Sequence, residues 1–76
     1  MEINEFIEKF AEQFIDTDPS QIKAETKFRD LEEWSSLLAL SIMAMISEEY
    51  DVILSAQEMR DVDTVQKLYD LVNSKL

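Results

Sequence analysis

The 76-residue sequence contains no cysteine, no histidine and no glycine, and it has a single proline. Without cysteine the chain can form no disulfide and has no thiol nucleophile. Without either cysteine or histidine it also lacks the side chains that most zinc sites and most general bases use. The absence of glycine removes the residue that ends many helices and forms many tight turns. We therefore expect neither catalysis by this chain alone nor a bound metal ion.

Basic residues are also scarce, since seven Lys and Arg oppose 17 Asp and Glu and the formal net charge is −10. Such a charge repels nucleic acids and anionic membranes and attracts basic protein surfaces. No apolar run is long enough to span a bilayer, and the first residues, Met1-Glu2-Ile3-Asn4-Glu5, lack the basic start of a signal peptide. We expect a cytoplasmic, monomeric protein that binds other proteins.

The acidic residues form no recognisable calcium-binding or catalytic motif. Counted as an EF-hand loop from Asp16, the sixth position is Gln21 where the loop needs glycine, and the twelfth is Lys27 where it needs glutamate. The pairs Glu32-Glu33 and Glu48-Glu49 have no neighbouring base or metal signature. We interpret these pairs as solvent-exposed surface acids and the aspartates near residue 16 as a helix end.

The length suffices for one domain, residues 1–76, with a single small core. Apolar spacing and helix-forming residues predict an all-α fold. The first amphipathic helix covers residues 3 to 15 and ends before Pro19, and a long connection then runs to Trp34. That connection should be held to the core at three apolar positions, Ile22, Phe28 and Leu31.

Capping signals predict the remaining helices. The second should run from Ser36 to about Tyr50, and the third should start at Ser55 with Glu58 completing a capping box. Asp63-Thr64-Val65-Gln66 offers the same kind of N-terminal signature for the last helix. The apolar stripe of the last helix comprises Val65, Leu68, Tyr69, Val72 and Leu76. The predicted core includes Phe6, Phe10, Phe28, Ile42, Ile46 and Tyr50.

Two adjacent serines, Ser35 and Ser36, stand where the polar connection becomes the second helix. One hydroxyl can cap the helix while the other faces solvent at its positive end, and that geometry suits a serine that carries a phosphate. We expect Ser35 to be the N-cap. Taken alone, a serine in the first helical turn is an ordinary residue, so its context has to decide its role.

An ordered set of motifs surrounds these serines: Phe28-Arg29-Asp30-Leu31, Trp34-Ser35-Ser36-Leu37, Glu48-Glu49-Tyr50 and Asp63-Thr64-Val65. In this order and at these spacings they resemble the acyl carrier protein family, closely over residues 28 to 65 and, with the flanking helices, over nearly the whole chain. The resemblance implies a small four-helix bundle with a long first loop and a short third helix. It also implies a covalent 4'-phosphopantetheine on Ser36, which is followed by the expected Leu37.

The resemblance further implies a discrete acyl carrier protein, not an enzyme, that tethers acyl intermediates as thioesters for fatty-acid, polyketide or related biosynthesis. A phosphopantetheinyl transferase would supply magnesium and a base, and Ser36 Oγ would attack the pyrophosphate of coenzyme A to form a phosphodiester. Acyl-loading and acyl-transferring enzymes, such as a ketosynthase or an acyl ligase, would be the other partners. Two alternatives stay open: a peptidyl or aminoacyl carrier, whose family usually has a histidine before its serine, and an unmodified helical adaptor that binds partners through its second helix.

The second helix is more apolar than a single core-facing stripe requires, so part of that surface should face outward. At about 100° per residue, one side carries Ala39, Ile42, Met43, Ile46 and Tyr50, and the opposite side carries Leu37, Leu40, Ser41, Ala44, Met45 and Glu48. Leu38 lies near the boundary. Compared with the family, serine replaces the usual aspartate at Ser35, and Leu38, Ser41 and Ser47 stand where acids are common. We predict a partner-binding face that acts mainly through apolar contact, made of Leu37, Leu38, Leu40, Ser41, Met45 and Glu48.

Overall fold

The computed structural model describes residues 2–76 and contains four α-helices. They are α1 (Ile3–Ala11), α2 (Ser36–Tyr50), α3 (Ala56–Asp61) and α4 (Val65–Ser74). Two short 3-10 turns, Pro19–Gln21 and Phe28–Asp30, interrupt the long loop between α1 and α2. The predicted all-α bundle with a long first loop and a short third helix is confirmed. None of the helices formed by residues 2–76 has the length and apolar character needed to cross a membrane.

Helix α1 is shorter than its apolar spacing predicts, since it ends at Ala11 and not at residue 15. The N–H groups of residues 13 and 14 bond to carbonyls three residues back, which tightens the chain out of the α-helix. The next two N–H groups, on residues 15 and 16, donate to the Glu33 carboxylate. A side chain from the long loop therefore takes the donors that a longer helix would have used.

The long loop is fixed to the beginning of α4. Three backbone hydrogen bonds of 2.8 to 3.2 Å join residues 24–28 to residues 63–66, where the first N–H groups of α4 have no partner within their own helix. Ile22 and Phe28 are buried as predicted, whereas Leu31 is only half-buried. These contacts hold the loop across the bundle and bring its final residues to the start of α2.

The core draws side chains from all four helices and from the loops. The predicted core residues Phe6, Phe10, Phe28, Ile42 and Ile46 are fully buried. Tyr50 is half-buried, although its ring lies 5.9 Å from that of Phe6, and its enclosed hydroxyl has no hydrogen-bond partner within residues 2–76. Of the α4 stripe, Val65, Leu68 and Val72 are fully buried and Leu76 is exposed, because α4 ends before it.

Candidate functional site

The two adjacent serines have different roles at the start of α2. Ser35 is the N-cap, and its Oγ accepts a hydrogen bond from the Leu38 N–H at 3.1 Å, which confirms the predicted cap. Ser36 is the first residue of the helix, and its side chain is exposed. Within residues 2–76 the Ser36 hydroxyl has no hydrogen-bond partner. Because α2 has 15 residues, its unpaired N–H groups and its dipole favour an anion beside that hydroxyl.

The residue before the serines anchors them to the core. The Trp34 ring is half-buried and lies 4.8 Å from the Phe28 ring and 6.5 Å from the Phe14 ring, measured between centroids. The Trp34 N–H also donates to the Leu31 carbonyl at 3.0 Å. Aromatic contacts at these distances are favourable beyond the area they bury. The serines therefore follow a fixed point of the chain.

Glu33 is not the freely solvated surface acid that its sequence context predicts. Its Oε2 accepts the Ile15 N–H at 2.6 Å, and its Oε1 accepts the Asp16 N–H at 2.9 Å and the Thr17 hydroxyl at 2.8 Å. The bond from Ile15 is the main cause that holds the pKa of Glu33 below its usual value, and the other two bonds add to it. Its partners lie 16 to 18 residues away, so no local spacing pattern could have indicated this link.

An open groove of about 540 Å³ begins at the two serines and runs between α2 and α3. None of the residues that line the groove is acidic. Its walls carry the indole of Trp34, five further apolar side chains and two arginines: Ala39, Leu40, Met43, Ala56, Met59, Arg29 and Arg60. The Arg29 guanidinium donates to the Met59 and Arg60 carbonyls at 3.0 and 3.2 Å. No local sequence pattern indicates this groove, since its walls come from three separate segments.

The outward face of α2 is narrower than predicted. Leu37 and Leu40 are 74% and 60% exposed, Glu48 is exposed and Ser41 is half-buried. Leu38 and Met45, which were assigned to the same face, are only 8% and 6% exposed and belong to the core. The helical wheel fails there because α1 and the residues after it lie along this side of α2: Met45 shares a depression with Lys9, and Leu38 shares one with Ile15. Lys9 of α1 reaches across to Glu49, with Nζ and Oε1 2.6 Å apart.

The acids of the site show no arrangement for a metal. Residues 2–76 contain no group of three or more Asp, Glu, His or Cys side chains that could hold a metal ion. Glu49 is paired with Lys9, and Glu48 is exposed at the end of α2. At the start of α2 the described residues place an exposed hydroxyl beside a groove with apolar and cationic walls.

Comparison with known proteins agrees with that arrangement. The family described as "Phosphopantetheine attachment site" matches residues 5–72. The chain belongs to the acyl carrier protein family. This carrier is similar to "Polyketide-8 synthase acyl carrier protein 2" of Streptomyces avermitilis, with 31% identity over 62 residues that cover 82% of the carrier and 71% of that protein. No solved structure matches the carrier.

Family membership establishes the covalent group and the kinds of partner. 4'-Phosphopantetheine is the group that attaches to carriers of this family. A carrier role also implies contact with the transferase that adds this group and with synthase enzymes. The site fits such a group, because an exposed hydroxyl at a helix N-terminus can hold a phosphodiester and an open groove lies next to it.

Proposed function

We propose that this protein carries acyl intermediates as thioesters on a 4'-phosphopantetheine arm attached to Ser36, in fatty-acid, polyketide or related biosynthesis. The observation that carries the proposal is the exposed Ser36 hydroxyl at the N-terminus of α2 in a chain of the carrier family. When bound, the arm supplies a terminal thiol for the thioester. Among these pathways, polyketide synthesis has the support of the Streptomyces avermitilis relative.

Hydrogen bonding favours Ser36 over Ser35 as the attachment residue. The Ser35 oxygen is already used to cap α2, and modification there would disturb the start of the helix. Ser36 Oγ can be esterified without the loss of any hydrogen bond made within residues 2–76. After esterification, the first N–H groups of α2 would stabilise the new phosphodiester.

The groove between α2 and α3 supports the same assignment. Apolar side chains such as Leu40 and Met43 offer contact to an arm or to the first carbons of its cargo. Arg29 and Arg60 supply positive charge in a chain whose net charge is −10. The positive charge of the groove would therefore attract an anionic arm that starts at Ser36, whereas most of the remaining, negatively charged surface would repel it.

The exposed leucines of α2 form the partner-binding face in this proposal. Leu37 and Leu40 would supply apolar contact, and Ser41 and Glu48 would lie at its edge. Because Ser41 stands where carriers often have an acid, docking of a loading enzyme on this face should depend less on salt than is usual for carriers. Loading by a cognate enzyme should therefore suffer more from Leu37→Ala and Leu40→Ala than from Glu48→Gln. A large, salt-dependent loss from Glu48→Gln with little loss from the alanine variants would contradict this face.

An intact-mass measurement tests the carrier assignment. The purified chain is incubated with a phosphopantetheinyl transferase, Mg²⁺ and coenzyme A. A carrier gains the mass of one arm, whereas an unmodified adaptor gains nothing. The modified chain is then offered malonyl and aminoacyl groups by their respective loading enzymes. Transfer of the malonyl group alone supports the acyl carrier, and transfer of the aminoacyl group alone would replace it with a peptidyl carrier.

A further inference from the structure

Two of the most exposed large apolar side chains lie beside Ser35, the residue that precedes the attachment serine. Ile15 is 89% exposed and Leu37 is 74% exposed. Both line a shallow depression of about 220 Å³, together with Ser35 and Glu33. Apolar side chains that lie together in water form the kind of surface that a partner protein covers. We call these two side chains the Ile15–Leu37 patch.

Glu33 holds Ile15 in this position. Helix α1 has already ended at Ala11, so helical hydrogen bonding does not fix the segment that follows. The Glu33 carboxylate accepts the N–H groups of Ile15 and Asp16 and the hydroxyl of Thr17 at 2.6 to 2.9 Å. One residue earlier, the buried Phe14 ring contacts the Trp34 ring. Residues 14–17 are therefore joined directly to the two residues that precede Ser35.

An enzyme that modifies Ser36 must cover the surface around it. A standard protein interface buries about 800 Å² on each partner, which is roughly a sixth of the 4767 Å² exposed by this chain. Leu37 follows Ser36 in sequence, and Ile15 shares a depression with Ser35. Because Ser35 and Leu37 are the chain neighbours of Ser36 and share this depression with Ile15, the patch adjoins the surface that such an enzyme must cover.

The charge around the patch favours a partner with a basic rim. A second depression, which shares Glu33 with the first, is lined by the acids Asp16, Asp30, Glu32 and Glu33. A second copy of this chain would bring the same acids and a net charge of −10, so the two copies would repel each other. An enzyme with an apolar centre and basic residues at its rim would be attracted.

We propose that the Ile15–Leu37 patch is a docking surface for the phosphopantetheinyl transferase, and that Glu33 is a positioning residue that presents Ile15 to that enzyme. This inference rests on the proposed function, because it concerns the enzyme that modifies Ser36. It extends the docking surface from α2 to the loop that follows α1.

Steady-state kinetics of arm transfer, with the chain as the varied substrate, test the patch. Ile15→Ser should raise KM about tenfold and leave kcat unchanged, because the lost contact is made in docking and not in the chemical step. Ile53→Ser is the matched control. Ile53 is 83% exposed, but it follows the other end of α2, which is about 22 Å long. KM of the Ile53→Ser variant should stay within about twofold of wild type.

Two substitutions of Glu33 test its positioning role. Glu33→Ala removes the three hydrogen bonds that the Glu33 carboxylate accepts. It should raise KM although Ile15 is still present, because Ile15 is no longer held in position. Glu33→Gln keeps an oxygen for the Asp16 N–H and the Thr17 hydroxyl and should recover a large part of the loss. A thermal melt followed by circular dichroism establishes that each variant is folded. If Glu33→Ala does not fold, Glu33→Gln and Ile15→Ser still carry the test.

The possible results separate the inference from the proposed function. Equal KM values for Ile15→Ser and Ile53→Ser overturn the docking patch while the carrier assignment stands. A wild-type chain that gains no arm overturns the proposed function and the patch with it. Sedimentation velocity measures whether a second copy of the chain binds the patch. A wild-type dimer that Ile15→Ser dissociates would assign the patch to self-association and overturn the inference.

Discussion

At the scale of single residues, Asp51 shows how a chain without glycine ends its longest helix. Asp51 follows α2 with φ 56° and ψ 38°, and it is the one residue with a positive φ within residues 2–76. Glycine adopts this conformation without steric cost. Replacing Asp51 by glycine would also remove a negative charge from the negative end of the α2 dipole. We predict that Asp51→Gly raises the free energy of unfolding by about 0.5–1 kcal/mol in urea denaturation.

The same substitution within a helix serves as the control. Asp70 lies inside α4 and accepts a hydrogen bond from Gln66 at 2.9 Å. Asp70→Gly should lower the free energy of unfolding by about 0.5 kcal/mol, because glycine is the poorer helix former. An Asp51→Gly variant that is less stable than wild type would show that Asp51 stabilises the fold through something other than its backbone conformation.

Glu33 should make stability depend on pH at the acid end. Its hydrogen bonds lower its pKa in the folded state below the ordinary value of 4.5. A carboxylate with a depressed pKa stabilises the fold above its unfolded pKa, and this contribution is lost as the pH falls through the folded pKa. We predict that wild type is more stable than Glu33→Gln by a constant amount above about pH 5.5, and that the difference shrinks below about pH 4.5.

Urea denaturation of both proteins between pH 3 and pH 7 measures this difference. Comparison of the two proteins at each pH cancels the contribution of the other acids, which wild type and variant share. A stability difference that stays constant down to pH 3 would contradict the hydrogen-bonded carboxylate at Glu33.

At the scale of elements, α3 depends on contacts at both ends. It has six residues, which is too few for a stable isolated helix. A capping box formed by Ser55 and Glu58 holds its start as predicted, and the Arg29 guanidinium binds the Met59 and Arg60 carbonyls at its end. We predict that Arg29→Met speeds amide hydrogen exchange in α3 by about tenfold and leaves the core amides of α4 unchanged.

Lys23→Met is the control for this change, because it also removes one positive charge from the long loop, at an exposed position whose side chain makes no hydrogen bond or ion pair within residues 2–76. It should leave exchange in α3 at the wild-type rate. Equal acceleration in the two variants would mean that the loss of charge, and not the loss of the Arg29 hydrogen bonds, loosens α3.

Element boundaries could be predicted from the sequence where neighbouring residues determine them. Ser35 and Ser55 cap α2 and α3 at the expected places, because a cap and the N–H group that donates to it are three residues apart. Helix α4 begins within the expected segment Asp63-Thr64-Val65-Gln66, where Thr64 is the N-cap and accepts from the Lys67 N–H. The end of α1 could not be predicted, since the N–H groups of residues 15 and 16, which a longer helix would use, donate to the distant Glu33. The burial of Met45 was missed because a helical wheel does not show how many neighbours cover a helix.

The candidate site also has features that the local sequence predicts and features that only the fold shows. The position of Ser36 at the first turn of α2 follows from the local sequence and from the resemblance to carriers. The groove beside it could not be predicted, because Trp34, Met43 and Met59 reach it from different elements. The link between Glu33 and residues 15–17 also needs the fold, since these segments are distant in the chain and meet where Phe14 packs on Trp34.

At the scale of the whole molecule, the net charge of −10 should weaken the folded state by self-repulsion. Within residues 2–76 three side-chain ion pairs are formed, Lys9–Glu49, Lys67–Asp63 and Lys75–Glu58, so most acids have no cationic partner. We predict that the melting temperature rises by about 5 °C between low and physiological salt, because salt screens this repulsion.

Glu48→Gln tests whether this salt effect comes from repulsion. Glu48 is exposed, makes no ion pair within residues 2–76 and lies at the negative end of the α2 dipole. Its replacement should raise the melting temperature in low salt and reduce the further rise on adding salt. A melting temperature of wild type that stays flat or falls with salt would show that the acids are too dispersed to matter.

The identity of the residue that carries the arm tests the central claim most directly. Wild type, Ser35→Ala and Ser36→Ala are each treated with transferase and coenzyme A, and the position of the added mass is located by intact-mass and fragmentation measurements. Ser35→Ala should lose about 1 kcal/mol of stability with its N-cap and still gain one arm. Ser36→Ala should stay folded and gain none. An arm on Ser36→Ala, together with no arm on Ser35→Ala, would contradict the account and move the attachment site to Ser35.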